Sequence, residues 1–348
     1  LEKPLTIETH IELQRRQVSV EETSQVSVSL RPSNFDDYPG QRQACENLKI
    51  YIEAARLRGK MLDHCLLHGP PGLGKTTLAG IIAREMGASL RMTSGPVLDK
   101  AANLMGVLAG LEEGTVLFID EIHRIPAHVE EILYKAMEDQ CLDILVGQGP
   151  SARTVEMTLP AFTLIGATTR AGSLSRPLRE RFGIVEHLRY YEPEDLCSIV
   201  IRSAELLGVT LNPDAAMELA RRSRGTPRIA NHILRRVIDH ATVEGVFPVS
   251  LSVVQRALEQ RGIDGQGLDH KDREMLGIIA ARYDGGPVGL EAVAAAMNEE
   301  RSTLEDVYEP YLIYRGFLSR SPRGRVLTSA GQEHIGSENS TISRTALD

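Results

Sequence analysis

The sequence predicts an α/β fold, a parallel sheet flanked by helices, continued by a small all-helical domain and a C-terminal winged helix. Three observations carry this. Over residues 30–188 short apolar runs alternate with helical patterns, the order that builds a parallel sheet covered on both faces. Gly69-Pro70-Pro71-Gly72-Leu73-Gly74-Lys75-Thr76 is a complete GxxxxGK[ST] phosphate loop set between one such run and one such helix. Strand character then stops near Pro193 and returns only in a basic hairpin near the C-terminus.

Taken in order, residues 1–29 are polar with sparse apolar positions and are expected to form a flexible arm. Apolar strands are predicted at 65–68, 90–93, 116–119, 162–167 and 184–188. Residues 189–264 read as a helical bundle, with helices beginning near Pro193, Pro213 and Pro227 and after Pro248, each proline where a first turn tolerates it. Residues 265–335 read as helices over 271–281, 290–297 and 302–314, then a hairpin over 316–327 with Pro322-Arg323-Gly324 at its tip, the pattern of a winged helix. The Ser/Thr-rich stretch 336–348 is expected to be disordered.

A chain of 348 residues with 42% hydrophobic and 25% charged residues is globular and long enough for two or three domains. No apolar run approaches the roughly 18 residues that span a bilayer. Glu2, Lys3, Glu8 and Glu12 leave no signal-peptide core at the N-terminus, so no membrane contact and a cytoplasmic location are expected. Cys45, Cys65, Cys141 and Cys197 are too scattered for a zinc site or a disulfide framework. A net charge of −8 requires any nucleic-acid contact to use a local basic patch.

The residue types of the loop follow from phosphate chemistry. Glycines let successive N–H groups converge on phosphate oxygens at a helix N-terminus. Lys75 can bridge the β and γ phosphates of ATP, Thr76 offers a hydroxyl to Mg²⁺, and Asp120, at the tip of an apolar strand, can hold that ion through water. Glu121 is the candidate base for the attacking water; the alternative is a solvated helix-capping acid. Three later features add to the pattern. Gly166-Ala167-Thr168-Thr169 ends a strand in hydroxyls that can meet the γ-phosphate or cap a turn. The stretch from Arg176 to Gly183 is a short basic helix whose arginine can enter a neighbouring subunit's site. Gly225-Thr226-Pro227-Arg228 opens a bundle helix and places Arg228 where a lid could close.

With these features the chain resembles the RuvB family of AAA+ motors from about residue 30 to 336. The most specific stretches are Leu30-Arg31-Pro32, Phe35-Asp36-Asp37-Tyr38-Pro39-Gly40-Gln41, 68–77, 118–124, 147–154, and Thr168-Thr169-Arg170-Ala171-Gly172-Ser173-Leu174 leading into 177–183. The resemblance implies an AAA+ large domain over 30–188, a lid over 189–264 and a DNA-binding winged helix over 265–335. It implies Thr169 as first sensor, Arg228 as second sensor, and Arg181 as the finger reaching the next subunit; spacing alone leaves Arg179 open for that role. Tyr38, Pro39 and Tyr191 would surround adenine, or else form a core rim. Leu30, Arg31, Thr77 and the loop itself would complete the nucleotide site. The implied activity is ATP-driven branch migration of Holliday junctions in recombination and repair, by a homo-oligomeric ring of six subunits. The implied partners are duplex DNA at four-way junctions, the junction-binding protein RuvA and the RuvC resolvase.

Two surfaces have local signals. Two β-patterned runs between Cys141 and Leu159 make a hairpin, with Leu142, Ile144 and Val146 on one side by period two. If exposed, that side is a sticky patch; in the family it docks RuvA, and the alternative is packing on its own domain. Between Glu309 and Glu333 there is no acid, while Arg315, Arg320, Arg323 and Arg325 are present. Arg320, Arg323 and Arg325 on the wing suit phosphate contacts, which carry no sequence information. Glu305, Asp306 and Glu309 on the third helix would repel phosphates, which predicts tracking without base reading. A wing that binds protein is the alternative there. For the whole chain the alternatives are a clamp-loader-type ATPase, which would lack the hairpin and the winged helix, and a DNA-binding regulator with ATP as switch ligand, which has no use for Glu121.

Overall fold

Strands β1 (Cys65–His68), β2 (Leu90–Ser94) and β3 (Thr115–Asp120) are followed by a hairpin of β4 (Cys141–Val146) and β5 (Arg153–Thr158), then by β6 (Phe162–Thr168) and β7 (Ile184–His187). The computed structural model describes residues 30–146 and 153–336; the expected arm, the tip of the hairpin and the tail lie outside the described residues. Five strands form one parallel sheet in the order β2-β3-β6-β1-β7. The pleat sends alternate side chains to opposite faces. Leu67, Phe118 and Ile165 therefore join one core with helices α1 (Arg42–Leu57) and α2 (Lys75–Glu85). Leu66, Leu117, Ile119 and Leu164 join a second core with α3 (Ala101–Ala109), α4 (Ala127–Glu138) and α5 (Arg176–Glu180). Strands covered on both faces must be apolar throughout, and Val116-Leu117-Phe118-Ile119 is.

The strand order places the C-terminal ends of β3, β6 and β1 side by side. The phosphate loop leaves β1, Asp120 ends β3 and Thr168 ends β6, so sequence segments 100 residues apart meet at one edge of the sheet. Open α/β sheets bind ligands at this edge.

Four helices follow: α6 (Pro193–Leu206), α7 (Pro213–Arg221), α8 (Pro227–Glu244) and α9 (Leu251–Gln260). Proline opens the first three, where a missing N–H costs nothing. The Thr226 hydroxyl accepts the Ile229 N–H at 3.4 Å and caps α8, which Gly245 ends at φ 67°. The core under α1 and α2 continues without a break into these helices, from Phe35 to Leu258. The bundle is thus anchored beside the phosphate loop.

The last domain has its own core around Met275, Leu276, Val293 and Leu312. Helix α10 (His270–Tyr283) starts in a capping box of Asp269 and Asp272, and α11 (Leu290–Met297) follows. The third helix, expected unbroken over 302–314, is instead α12 (Arg301–Thr303), a π turn over Leu304–Tyr308 and α13 (Glu309–Tyr314). Pro310 explains the difference, since its ring and missing N–H disrupt the i→i−4 bond to Asp306 and a wider turn relieves the clash. Strands β8 (Leu318–Ser321) and β9 (Gly324–Leu327) form the wing.

Arg224 joins this domain to the bundle. It is buried, lies over the Tyr311 ring at 4.8 Å, and its guanidinium meets both Asp272 carboxylate oxygens at 3.0 and 3.1 Å. Burial pushes the Asp272 carboxyl up to about 7, with Arg224 pulling it back.

Candidate nucleotide site and DNA-binding surface

A cavity of about 390 Å³ lies between the phosphate loop, the 30–39 segment and the bundle helices. Its lining includes Leu30, Arg31, Tyr38, Pro39, Pro71, Gly72, Gly74, Lys75, Thr76, Thr77, Asp120, Glu121, Tyr191 and Arg228. Gly69, Pro70 and Leu73 do not line it: a Cβ on Gly69 would collide with the Leu188 carbonyl, and the Leu73 side chain is wholly buried in the core. Gly74, at φ 97°, lies so close to Tyr38 that a Cβ would come within 2.7 Å of its hydroxyl. Tyr38 and Tyr191 both donate to the Leu73 carbonyl, at 3.3 and 3.2 Å, and so hold the loop at one point. The Arg228 N–H reaches the Gly72 carbonyl at 3.4 Å, which fixes the start of α8 over the loop.

Lys75 is buried, and its ammonium donates to the Gly69 and Pro70 carbonyls at 2.8 and 2.9 Å. Burial pushes that ammonium down to about 8, with Glu121 and Asp120 pulling it up and Arg228 opposing them. Phosphate oxygens favour the charged form, so the pKa in a nucleotide complex stands above that of the free protein. Affinity for ATP is therefore fully present below pH 8 and falls as pH rises through about 8. Titration of a non-hydrolysable ATP analogue between pH 7 and pH 10 checks this, and a flat profile overturns it.

The groups at the sheet edge converge on Glu121. Its backbone is left-handed, φ 48°, unusual for a residue with a side chain. Its N–H donates to Asp120 Oδ1 at 3.0 Å. Its Oε2 lies 3.4 Å from the Thr169 hydroxyl and 3.2 Å from His123 Nδ1. Burial holds His123 below the ordinary imidazole range, against the pull of Glu121. A neutral imidazole and a hydroxyl can thus orient one carboxylate without neutralising it.

Hard oxygen donors, the Thr76 hydroxyl and the Asp120 and Glu121 carboxylates, share this cavity. No group of three or more His, Cys, Asp or Glu suited to a metal occurs among the described residues. That donor set fits Mg²⁺, which takes one or two carboxylates together with substrate phosphates. Two buried atoms without hydrogen-bond partners, Asn231 Oδ1 and Arg235 Nε, belong to residues that line the same cavity. They fit a polar ligand at this place.

Three family models cover the described chain: the Holliday junction DNA helicase RuvB P-loop domain over 30–188, the RuvB AAA lid domain over 191–264 and the RuvB C-terminal winged helix domain over 265–336. The chain belongs to the RuvB family. It is 56% identical over 322 residues to the Holliday junction branch migration complex subunit RuvB of Paramagnetospirillum magneticum, covering 92% of this chain and 93% of that one. It also superposes on the Thermotoga maritima RuvB Holliday junction branch migration motor with a TM-score of 0.81 at 47% identity, over 88% of this chain and 98% of that one. A single-residue variant of the same Thermotoga protein gives a TM-score of 0.82 at 47% identity over the same shares.

Within this RuvB-family chain, Arg181 stands outside the cavity lining. It follows α5 directly, donates to the Pro177 carbonyl at 2.9 Å and to Glu138 at 2.8 Å, and lies over the Tyr134 ring at 4.6 Å. Arg179, the runner-up for the finger, is exposed on the same helix.

The hairpin corrects one expectation. Leu142 is buried in the core beside Leu133 and Leu159, because it lies at the hairpin's base, and offers nothing to a partner. Ile144 is half-buried and pairs with exposed Val155, so the apolar side begins there. The Val146 side chain lies outside the described residues.

On the wing Arg323 is exposed at the turn. Arg320 and Arg325 each donate through Nε and Nη2 to Glu309, at 2.7 to 3.0 Å. Glu309, expected as an acid facing outward on the third helix, is instead fully buried and paired with both guanidiniums. Two guanidiniums on one carboxylate leave a net positive charge, and each keeps Nη1 donors. Arg325 is mostly covered, and Arg320 is half-exposed. Asp306 and Glu305 face Arg170 of the large domain.

Residues that sequence reasoning passed over include Asn231, His232 and Arg235, which line the cavity from α8, and Arg202, which lines it from α6 and donates to the Leu30 carbonyl at 2.9 Å. Arg228, Asn231 and Arg235 recur at helical spacing, so one polar stripe continuing from Arg228 was a usable signal. His123 had no sequence signal beyond its place two residues after Glu121.

Proposed function

We propose that this chain is the ATP-hydrolysing subunit of a ring motor that drives branch migration of Holliday junctions on duplex DNA. The observation that carries this is the convergence of the phosphate loop, Asp120, Glu121 and Thr169 at one sheet edge, on a chain that continues into a RuvB lid and winged helix.

Lys75 and the loop N–H groups hold the phosphates, and Tyr38, Pro39 and Tyr191 with Leu30 and Arg31 hold the base. Thr76 and Asp120 would hold Mg²⁺, which neutralises phosphate charge when bound. Glu121 takes the proton of the attacking water, with Thr169 fixing its direction. Arg228 reads closure of the lid on the nucleotide. Arg181 completes the site of an adjoining subunit in a six-membered ring. Arg320, Arg323 and Arg325 contact DNA phosphates, and the hairpin docks RuvA through Ile144 and Val146, with RuvC joining the assembly. No helix of the described residues is long and apolar enough to cross a membrane. The protein acts in the cytoplasm, with the DNA it moves.

The test is strand exchange on a synthetic four-way junction with and without ATP and with and without RuvA. Conversion of the junction that needs ATP and rises with RuvA is expected. ATP splitting at the same rate with no conversion under any condition overturns the proposal and favours a loader of some other ring.

A further inference from the structure

The hydrogen bonds around Glu121 do not stop at the sheet. His123 Nδ1, 3.2 Å from Glu121, is also 2.9 Å from the Thr168 hydroxyl, and that hydroxyl accepts the backbone N–H of Arg170 at 2.9 Å. Arg170 is the residue after Thr169, whose own hydroxyl meets Glu121. The Arg170 side chain leaves the large domain. Its Nε and Nη2 donate to the two carboxylate oxygens of Asp306 at 2.8 and 2.6 Å, with Glu305 3.8 Å away.

Asp306 lies in the π turn that breaks the third helix of the winged domain. Such turns are local departures from α-helical hydrogen bonding and cluster at functional sites. A two-pronged guanidinium–carboxylate contact is sensitive to angle as well as distance. Both partners are about a third to two-fifths exposed, so the contact is weak enough to break and re-form within a cycle. It connects two domains, and at its large-domain end it is one residue from a side chain that touches the candidate base.

We propose that Arg170 is a positioning residue for Glu121, and that its grip on Asp306 makes the placement of Glu121 depend on where the winged helix sits. The winged helix then influences when ATP is split, and the nucleotide state influences where the winged helix is held, since such coupling is reciprocal. The Arg224–Asp272 contact anchors the winged helix to the lid; Arg170–Asp306 reports its position to the hydrolysis centre. The inference rests on the winged helix being the part that grips duplex DNA.

The experiment compares the full chain with Arg170→Ala, Asp306→Ala and the double variant, with RuvA on four-way junctions. It reads kcat and KM for ATP, duplex affinity, and ATP consumed per junction converted. In each single variant, ATP consumed per junction is expected to rise about 5-fold or more. KM and duplex affinity are expected to stay within about twofold of the parent, and the double variant to be no worse than the worse single, as for two ends of one contact. An unchanged ratio in either single variant, additive losses in the double, or a loss of duplex affinity as large as the loss of coupling each overturns it. Should the parent convert no junctions, it is the proposed function that fails. The kcat response to linear duplex then decides the contact: a response in the parent that both single variants lose supports it, and a response that is kept or absent overturns it.

Discussion

Replacing Glu121 by Gln is expected to lower ATP turnover about 10²–10⁴-fold while leaving ATP binding and assembly intact. The amide keeps the length and shape of the carboxylate, so it can still meet the Thr169 hydroxyl and His123, the two groups within 3.4 Å of Oε2. It cannot take a proton from water. The left-handed backbone at Glu121 is equally open to Gln, so the loop is not expected to move. Single-turnover hydrolysis measured beside ATP retention on a filter separates the two steps. Retained ATP with hydrolysis near the parent rate would remove Glu121 from its role, and weakened retention would make it a binding group.

The second large effect concerns Arg181. Arg181→Ala and Lys75→Ala subunits are each expected to be nearly inactive alone, the first by about 10³–10⁵-fold for a lost finger. Mixed together they are expected to regain activity, because a Lys75→Ala subunit still supplies Arg181 to a neighbour whose own loop is intact. The geometry supports action outside the subunit, since Arg181 does not line its own cavity and is held by Pro177, Glu138 and the Tyr134 ring. Engaging a neighbour means leaving Glu138, a half-exposed acid whose pull on a guanidinium is modest. Turnover measured across mixing ratios decides it. Activity that never exceeds the sum of the two pure variants places the arginine's work within one subunit.

Of the five sheet strands, the inner ones were the most legible because burial on both faces favours apolar residues, as at 116–119; the edge strands β2 and β7 are partly exposed. Three of the four lid helices were legible because proline marks their first turns. The third helix of the winged domain was not, because helical periodicity continues through Pro310 while the backbone there widens into a π turn. Leu142 was misplaced for a similar reason. Period two tells which side of a strand a residue takes, and it does not tell how far the hairpin's base sinks into the domain that carries it.

For the site, the loop, Asp120 and Glu121 lie in short motifs whose spacing is set by the chemistry they serve, so the residues alone identify them. Arg202 was hidden because it reaches the cavity from an element far from the loop in sequence, and His123 because nothing in its residue type marks its contact with Glu121.

By itself the sequence determined the chemistry: a phosphate loop on a parallel sheet, an acid pair at a strand tip, and a family whose stretches run from residue 30 to 336. Only the tertiary structure decided which charges are paired and which are free. Glu309 is buried beneath Arg320 and Arg325, Arg181 stands apart from its own pocket, and Arg170 joins the hydrolysis centre to Asp306. The physical reason is that residue type fixes what a group can donate or accept, while partners across 136 positions of chain are chosen by packing.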